Sequence, residues 1–161
     1  MPTPTYNLIT SQTLEFPIST ITIGSLPSTY KDLIVVCNVS VTGSENFLGL
    51  RFNSSSANAY NFVAYGNGGN STPQETGVNA AQIYSFMTTT KGTYIIHFMD
   101  YRSTSKHRSA VAVGGNPSTR ATSLTTLSFN DSGAMGSITL LGGGGFSMAA
   151  GSVFEVYGVI G

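Results

Sequence analysis

The feature that most constrains the fold is an alternation of apolar and polar side chains that recurs along the chain with a period of two. It appears in short segments rich in β-branched and aromatic residues, which Gly, Asn, Ser or Pro separate, as is typical of β-strands. The alternation is clearest in ITI at 21–23 and SLTTLSF at 123–129. Helical periodicity is almost absent, although VNAAQIY at 78–84 is compatible with one helical turn. The sequence therefore predicts an all-β protein.

The strand-like segments can be placed from this pattern. They lie within 14–26, 31–43, 46–53, 60–66, 81–89, 92–101, 108–115, 122–130, 137–142 and 152–160. DLIVVC at 32–37 is almost uniformly apolar, which indicates a strand buried on both faces. A chain of 161 residues without an internal repeat is the size of one domain. We predict a single antiparallel β-sandwich, jelly-roll-like with about 8–10 strands, over residues 13–161.

Charge is scarce in this sequence. Only 9% of the residues are charged, and seven Lys plus Arg balance seven Asp plus Glu. A nucleic-acid partner is not expected, because phosphate binding needs a basic surplus. A surface with so little charge repels other copies weakly and is well suited to being covered by protein. We therefore expect a homotrimer or a larger oligomer.

The beginning of the chain, MPTPTYNLITSQ, carries two prolines and no charge. It lacks the basic segment and apolar run of a signal peptide, and no later stretch is long enough to span a membrane. We expect a soluble, unprocessed protein with no membrane partner, in which residues 1–12 form an N-terminal arm able to reach other proteins. Cys37 is the single cysteine and lies in an apolar segment, so a small buried hydrophobe is its expected role.

Two stretches are candidates for a phosphate-binding loop or a catalytic site, and neither has the residue pattern that such a site requires. The glycines at 142–145 are not followed by the Lys and Ser or Thr of a phosphate-binding loop, so they are expected to form a turn with positive φ. In HFMDYRSTSKHR, His97 and Asp100 point to opposite faces of a strand, and the connection that contains His107 is expected to join two strands. We expect no catalytic residues, metal or cofactor, and no enzyme activity.

Several segments carry a resemblance to a known class of proteins. They are LPSTYKDL at 26–33, which enters a buried strand, LRFNSSSANAYN at 50–61, and the closing GSVFEVYGV at 151–159. Together they resemble small β-sandwich virion proteins of tailed bacteriophages, over about residues 15–160. The resemblance implies a structural protein without a catalytic motif. It also implies one of two roles, a capsid cement (decoration) protein or a domain of a tail fibre or appendage, often trimeric.

The cement role is favoured because the chain is a lone domain without a shaft or coiled-coil segment. It implies an oligomer, expected to be a homotrimer, that binds the major capsid protein on the exterior of the capsid after synthesis in the host cytoplasm. The alternative is a tail-fibre domain that binds host-surface glycan through NSSSANAYNFVAYGNGGNSTPQ at 53–74, a stretch rich in Asn and Tyr. The candidate binding residues are Tyr6 and Asn7 in the arm, and Tyr60, Asn61 and Tyr65 in the second stretch.

Overall fold

A computed structural model describes residues 5–43, 45–56, 60–66, 74–130 and 133–161. Within them the regular structure consists of β-strands and one short 3₁₀ turn at Gly143–Gly145. The strands are β1 (Tyr6–Thr13), β2 (Thr20–Ile23), β3 (Asp32–Val39), β4 (Glu45–Phe52), β5 (Tyr60–Gly66), β6 (Gln74–Val78), β7 (Ala81–Met87), β8 (Gly92–Met99), β9 (Arg108–Asn116), β10 (Ala121–Phe129), β11 (Ile138–Gly142) and β12 (Val153–Val159).

The strands form two antiparallel sheets. The large sheet has the order β1-β12-β3-β8-β9-β10-β5-β6, and the small sheet has the order β2-β11-β4-β7. One apolar core with side chains from both sheets lies between them. The predicted all-β sandwich is therefore confirmed. The unequal division into eight and four strands does not confirm the jelly-roll description.

Two of the strands fall where the sequence did not predict any. Residues 6–12 of the expected free arm lie in β1, which pairs with β12 from Tyr6↔Val159 to Thr13↔Val153. Residues 1–4 of that arm lie outside the described part of the chain. The other strand, β6, pairs with β5 and ends at Val78, where the sequence was compatible with a helical turn. Both β1 and β6 lie at edges of the large sheet.

The central strand β3 is buried on one face only. Its residues alternate between buried and half-buried along the whole strand, so the prediction of burial on both faces is wrong. Leu33, Val35 and Cys37 point into the core, whereas Ile34 and Val36 lie on the opposite face of the sheet. An apolar residue in DLIVVC therefore does not always mark the core. The outward apolar positions become important for the surface described below.

An aromatic cluster joins the two sheets near one end of the core. Phe52 of β4 packs against Phe98 of β8 edge-to-face, with ring centroids 5.5 Å apart, and against Phe129 of β10 at 5.2 Å. Tyr60 of β5 stacks on Phe129 at 4.5 Å. The backbone N–H of Phe52 donates a hydrogen bond of 2.9 Å to the Tyr60 hydroxyl, which in turn donates to the carbonyl of Ser55 at 3.0 Å. Tyr60 therefore connects the sheets by both ring packing and polar contacts.

The segments that carry the family resemblance have structural roles here. In LPSTYKDL, the Tyr30 ring lies over Gly158, where an added Cβ would come within 2.3 Å of ring atoms. In LRFN, the Asn53 side chain accepts hydrogen bonds from the backbone N–H groups of Gly136 and Ser137, at 2.8 and 3.2 Å. It also donates to the carbonyl of Ala134 at 2.9 Å. These residues hold loops against strand ends.

Replacing Tyr60 by Phe tests the polar half of this junction. The Tyr60→Phe substitution keeps the ring but leaves the buried Phe52 N–H without its acceptor, which typically costs about 1–3 kcal/mol. We expect the free energy of unfolding in urea to fall by that amount. Tyr6→Phe, at an exposed tyrosine, is the matched control and should change it by less than about 0.5 kcal/mol. Equal stability of the two variants would contradict this role of Tyr60.

Candidate interaction surface

An apolar row crosses the outer face of the large sheet, the face turned away from the core. It is built by register, because residues that pair directly on adjacent strands point to the same side of a sheet. Val36 pairs with Ile95, Ile95 with Val113, Val113 with Leu124, and Leu124 with Tyr65. The five side chains lie on β3, β8, β9, β10 and β5, which are consecutive in the sheet. We call Val36, Ile95, Val113, Leu124 and Tyr65 the apolar row.

Four of the five side chains of the apolar row are exposed, and Val36 is half-buried. Ile95 and Val113 are each 42% exposed, Leu124 is 41% exposed and Tyr65 is 56% exposed. Four strand spacings of about 4.8 Å make the row roughly 19 Å long. Single exposed apolar residues are common on protein surfaces, whereas a contiguous apolar patch is typical of an interaction site. The apolar row is therefore a candidate interaction surface.

The outer face around the row carries little charge. Among the described residues of the eight strands, Arg108 is the single Lys or Arg, and it is buried on the inner face. Glu155 extends the row by one strand, since it pairs with Val36. Its carboxylate accepts a 3.0 Å hydrogen bond from the Tyr157 hydroxyl, and this bond raises the pKa of Tyr157. The face is therefore weakly acidic and suits an apolar or neutral partner.

A small polar cluster borders the row at one end of β8. His97 Nε2 lies 3.1 Å from Asp32 Oδ2, and Asp32 Oδ1 accepts a 2.8 Å hydrogen bond from the backbone N–H of Asp100. Lys106 Nζ donates to Asp100 Oδ2 at 2.8 Å, which lowers the pKa of the Asp100 carboxyl. His97 thus pairs with Asp32 and not with Asp100, as their opposite directions on the strand predicted. These bonds fasten the β8–β9 connection, which includes His107, to the start of β3.

The glycine run forms a tight turn. Gly143–Gly145 make one 3₁₀ turn, in which Gly144 and Gly145 have φ of 58° and 88°. A Cβ at Gly143 would lie 2.6 Å from the carbonyl oxygen of Phe47, so the backbone there approaches β4 closely. The predicted turn with positive φ is confirmed. The run is shaped by packing against β4.

The single cysteine is buried in β3. Cys37 lies in the core, as expected for a small hydrophobe. Burial raises the pKa of its thiol to about 12, so the reactive thiolate is scarce at neutral pH. Within the described residues, no group of three or more His, Cys, Asp or Glu side chains is arranged to hold a metal ion.

The residues predicted to bind a partner are spread over the large sheet. Tyr60 is fully buried, so its assignment as a surface binding residue is wrong: its ring is needed in the aromatic cluster. Tyr65 is exposed and belongs to the apolar row. Tyr6 is exposed on β1, where the Asn7 amide donates a weak 3.5 Å hydrogen bond to the Tyr30 hydroxyl. Six strand spacings, about 29 Å, separate β1 from β5, so the two predicted groups form no common site.

Asn61 lies beside a shallow cleft near β6. The cleft has a volume of about 430 Å³ and is lined by Asn61, Phe62, Val63, Glu75, Thr76, Thr126, Leu127 and Ser128. The Asn61 side chain accepts a 3.1 Å hydrogen bond from the backbone N–H of Gly77 and donates to Ser128 at 3.3 Å. It therefore connects three neighbouring strands as well as lining the cleft. Residues 57–59 and 67–73 of the predicted glycan-binding stretch lie outside the described residues.

The other four members of the apolar row are not predicted from the sequence. A usable signal is present in YIIHF and AVAV, where apolar residues occupy both alternating positions of a strand. In these two strands one apolar set lies in the core and the other lies on the outer face. Only the register between strands shows that these outward residues line up.

No protein-family model matches the sequence, and no curated protein is significantly similar to it. No helix formed by the described residues has the length and apolar character needed to cross a membrane.

The structural role of the glycine run can be tested by one substitution. In Gly143→Ala, the new methyl group would press on the Phe47 carbonyl, and overpacking of this kind costs about 1–3 kcal/mol. Gly24→Ala is the control, because a Cβ at Gly24 meets nothing within 4 Å. We expect a lower melting temperature for Gly143→Ala alone, and no thermal shift of the wild-type protein with inorganic phosphate. A saturable shift with phosphate would show that the turn binds anions.

Proposed function

We propose that the protein is a virion structural protein of a tailed bacteriophage, a non-enzymatic capsid cement protein that stabilises the shell as an oligomer. The single observation that carries the assembly role is the apolar row, which crosses five strands of a face without an outward Lys or Arg among its described residues. Burying these side chains against protein would remove apolar surface from water. The virion setting rests on the resemblance of the LPSTYKDL, LRFN and GSVFEVYGV segments.

The proposed partner is the major capsid protein, on the exterior of the shell. A cement protein needs a rigid domain and a way to hold neighbouring shell subunits. The sandwich supplies the rigid domain, because both sheets share one core. The outer edge of β1 supplies an attachment site: β1 is the first strand of the large sheet and pairs on one side only, with β12. A strand from a shell subunit could add to that edge by backbone hydrogen bonds.

Attachment through β1 can be tested on purified capsids. Ser11→Lys and Gln12→Lys place a cation on the exposed part of β1, and a charged edge disfavours strand addition. We expect wild-type protein to bind shells saturably and to raise their melting temperature, and each lysine variant to lower occupancy at least about threefold. Thr20→Lys, at an exposed position of β2, is the matched control and should bind normally. Absence of wild-type protein from the shell in a density map of the particle would contradict the cement role.

A second candidate function has one observation in its favour. The cleft beside Asn61 has polar groups from Glu75, Thr126 and Ser128, and the exposed Tyr65 lies two residues from the cleft residue Val63 on the same face of β5. An exposed tyrosine next to hydrogen-bonding groups suits a sugar ring. On this proposal the protein is a tail-fibre or appendage domain that binds host-surface glycan.

The two candidates differ in their response to substitutions at the cleft. If the cleft binds glycan, the double variant Glu75→Gln with Tyr65→Ala should reduce adsorption of phage to cells at least about tenfold, because the site loses a charged acceptor and its stacking surface. Tyr6→Ala, about 29 Å away across the sheet, is the control. Unchanged adsorption with normal folding would exclude the glycan-binding role.

A further inference from the structure

We infer that the outer face of the large sheet binds a second copy of this chain, so that two sandwiches stack face to face about a two-fold axis. In this dimer the apolar row of one copy crosses the apolar row of the other in the opposite direction. The inference deepens the assembly role and rests on that proposed function only for its setting in a virion. It stands on the register, charge and size of the face.

The size of the face fits a stable dimer. Eight strands at about 4.8 Å, each about seven residues long at about 3.3 Å per residue, give a face of roughly 38 by 23 Å, or about 900 Å² per copy. A standard protein interface buries about 800 Å² on each partner. The apolar row lies across the middle strands of this face, where interface residues become fully desolvated. A second copy therefore offers a surface of the right extent.

The charge on the face selects the direction of the two-fold axis. An axis parallel to the row would place Glu155 opposite Glu155 of the second copy, with two carboxylates facing each other. An axis parallel to the strands and midway between β8 and β9 reverses the row instead. Glu155 and Tyr65 are the two ends of the extended row, and each lies on the third strand from that midpoint. Reversal therefore places the Glu155 carboxylate opposite the Tyr65 hydroxyl of the second copy, which is a hydrogen-bonding pair.

The same reversal gives an apolar centre. Val36 faces Leu124 of the second copy, and Ile95 faces Val113 of the second copy, so both middle pairs are aliphatic. Stacked sheets lie about 10 Å apart and cross at about 30°, which places the axis about 15° from the strand direction. This is the packing that the two sheets of a sandwich use in their own core. The dimer would therefore repeat that packing across the outer face.

Other partners fit this face less well. Nucleic acid and acidic membrane surfaces need outward cations, and the eight described strands present none on this side. A three-fold assembly joins two different surfaces of each copy, whereas a two-fold dimer joins one surface to itself. The row is self-complementary and thus predicts an even number of copies, in contrast to the homotrimer expected from the sequence.

Sedimentation of the purified full chain tests the dimer. We expect the wild-type protein to be a dimer at micromolar concentration. We expect Leu124→Lys and Val113→Lys each to raise the dissociation constant of the dimer at least about 100-fold, because each buries an unpaired ammonium in the centre of the contact. Both positions are exposed in the single copy, so the circular dichroism spectrum should stay unchanged. Thr20→Lys, on the small sheet, is the control and should remain dimeric. A wild-type monomer or trimer, or lysine variants that stay dimeric, would overturn the inference.

A double-mutant cycle tests the direction of the axis. Within one chain, Glu155 and Tyr65 lie five strand spacings apart, about 24 Å, a distance at which substitutions normally act independently. Across the proposed interface they meet. We expect Tyr65→Phe and Glu155→Gln to be non-additive in the dimer dissociation constant by more than about threefold. Additive effects would overturn this arrangement of the two copies.

The outcome is separable from that of the proposed function. A dimer with the expected coupling that fails to bind shells would exclude the cement role and leave the interface established. A monomer that binds shells would support the cement role and exclude the proposed dimer interface.

Discussion

The packing of the two sheets against each other depends in part on the junction between Tyr60 and Phe52. It joins a strand of the large sheet to a strand of the small sheet through a buried hydrogen bond, and the rings of Phe98 and Phe129 enclose it. A buried backbone N–H must have an acceptor, and apolar neighbours strengthen the bond that satisfies it. This contact therefore helps to hold the two sheets together, and the alternation of apolar side chains along the strands decides which face of the large sheet is turned inward.

Both faces of the large sheet carry apolar side chains, but those of the inner face form the core and those of the outer face form the apolar row. On the inner face, the apolar residues of β3, β8 and β12 pack against the small sheet and supply stability. On the outer face, register brings the apolar row together, and the row is left exposed at some cost in solubility. A chain with this little charge has few means of protecting such a row except to cover it with protein. The scarcity of charge and the position of the row therefore both favour the proposed assembly with other protein copies.

The sequence predicted the strands whose own side chains alternate, because that pattern reflects burial on one face. It did not predict β1 and β6, which lie at the edges of the large sheet. An edge strand buries less and is held mainly by backbone bonds to its neighbour, so its side chains carry a weaker signal. Tyr60 is assigned to a binding surface from sequence for a related reason: it lies in a stretch rich in Asn and Tyr, whereas the alternation within β5 directs its side chain inward. The row was not predictable, since register is a property of strand pairs.

The pairing of β1 with β12 places nearly the whole chain between two adjacent strands, with Tyr6 opposite Val159. During synthesis β1 therefore emerges long before its neighbour β12 exists. Contacts between such distant residues form late and slow the folding of β-proteins. A strongly apolar first strand would be free to pair wrongly throughout that delay. The polar composition of YNLITSQT makes this strand hard to predict from sequence, and it also lowers the tendency of β1 to pair wrongly before β12 has been synthesised.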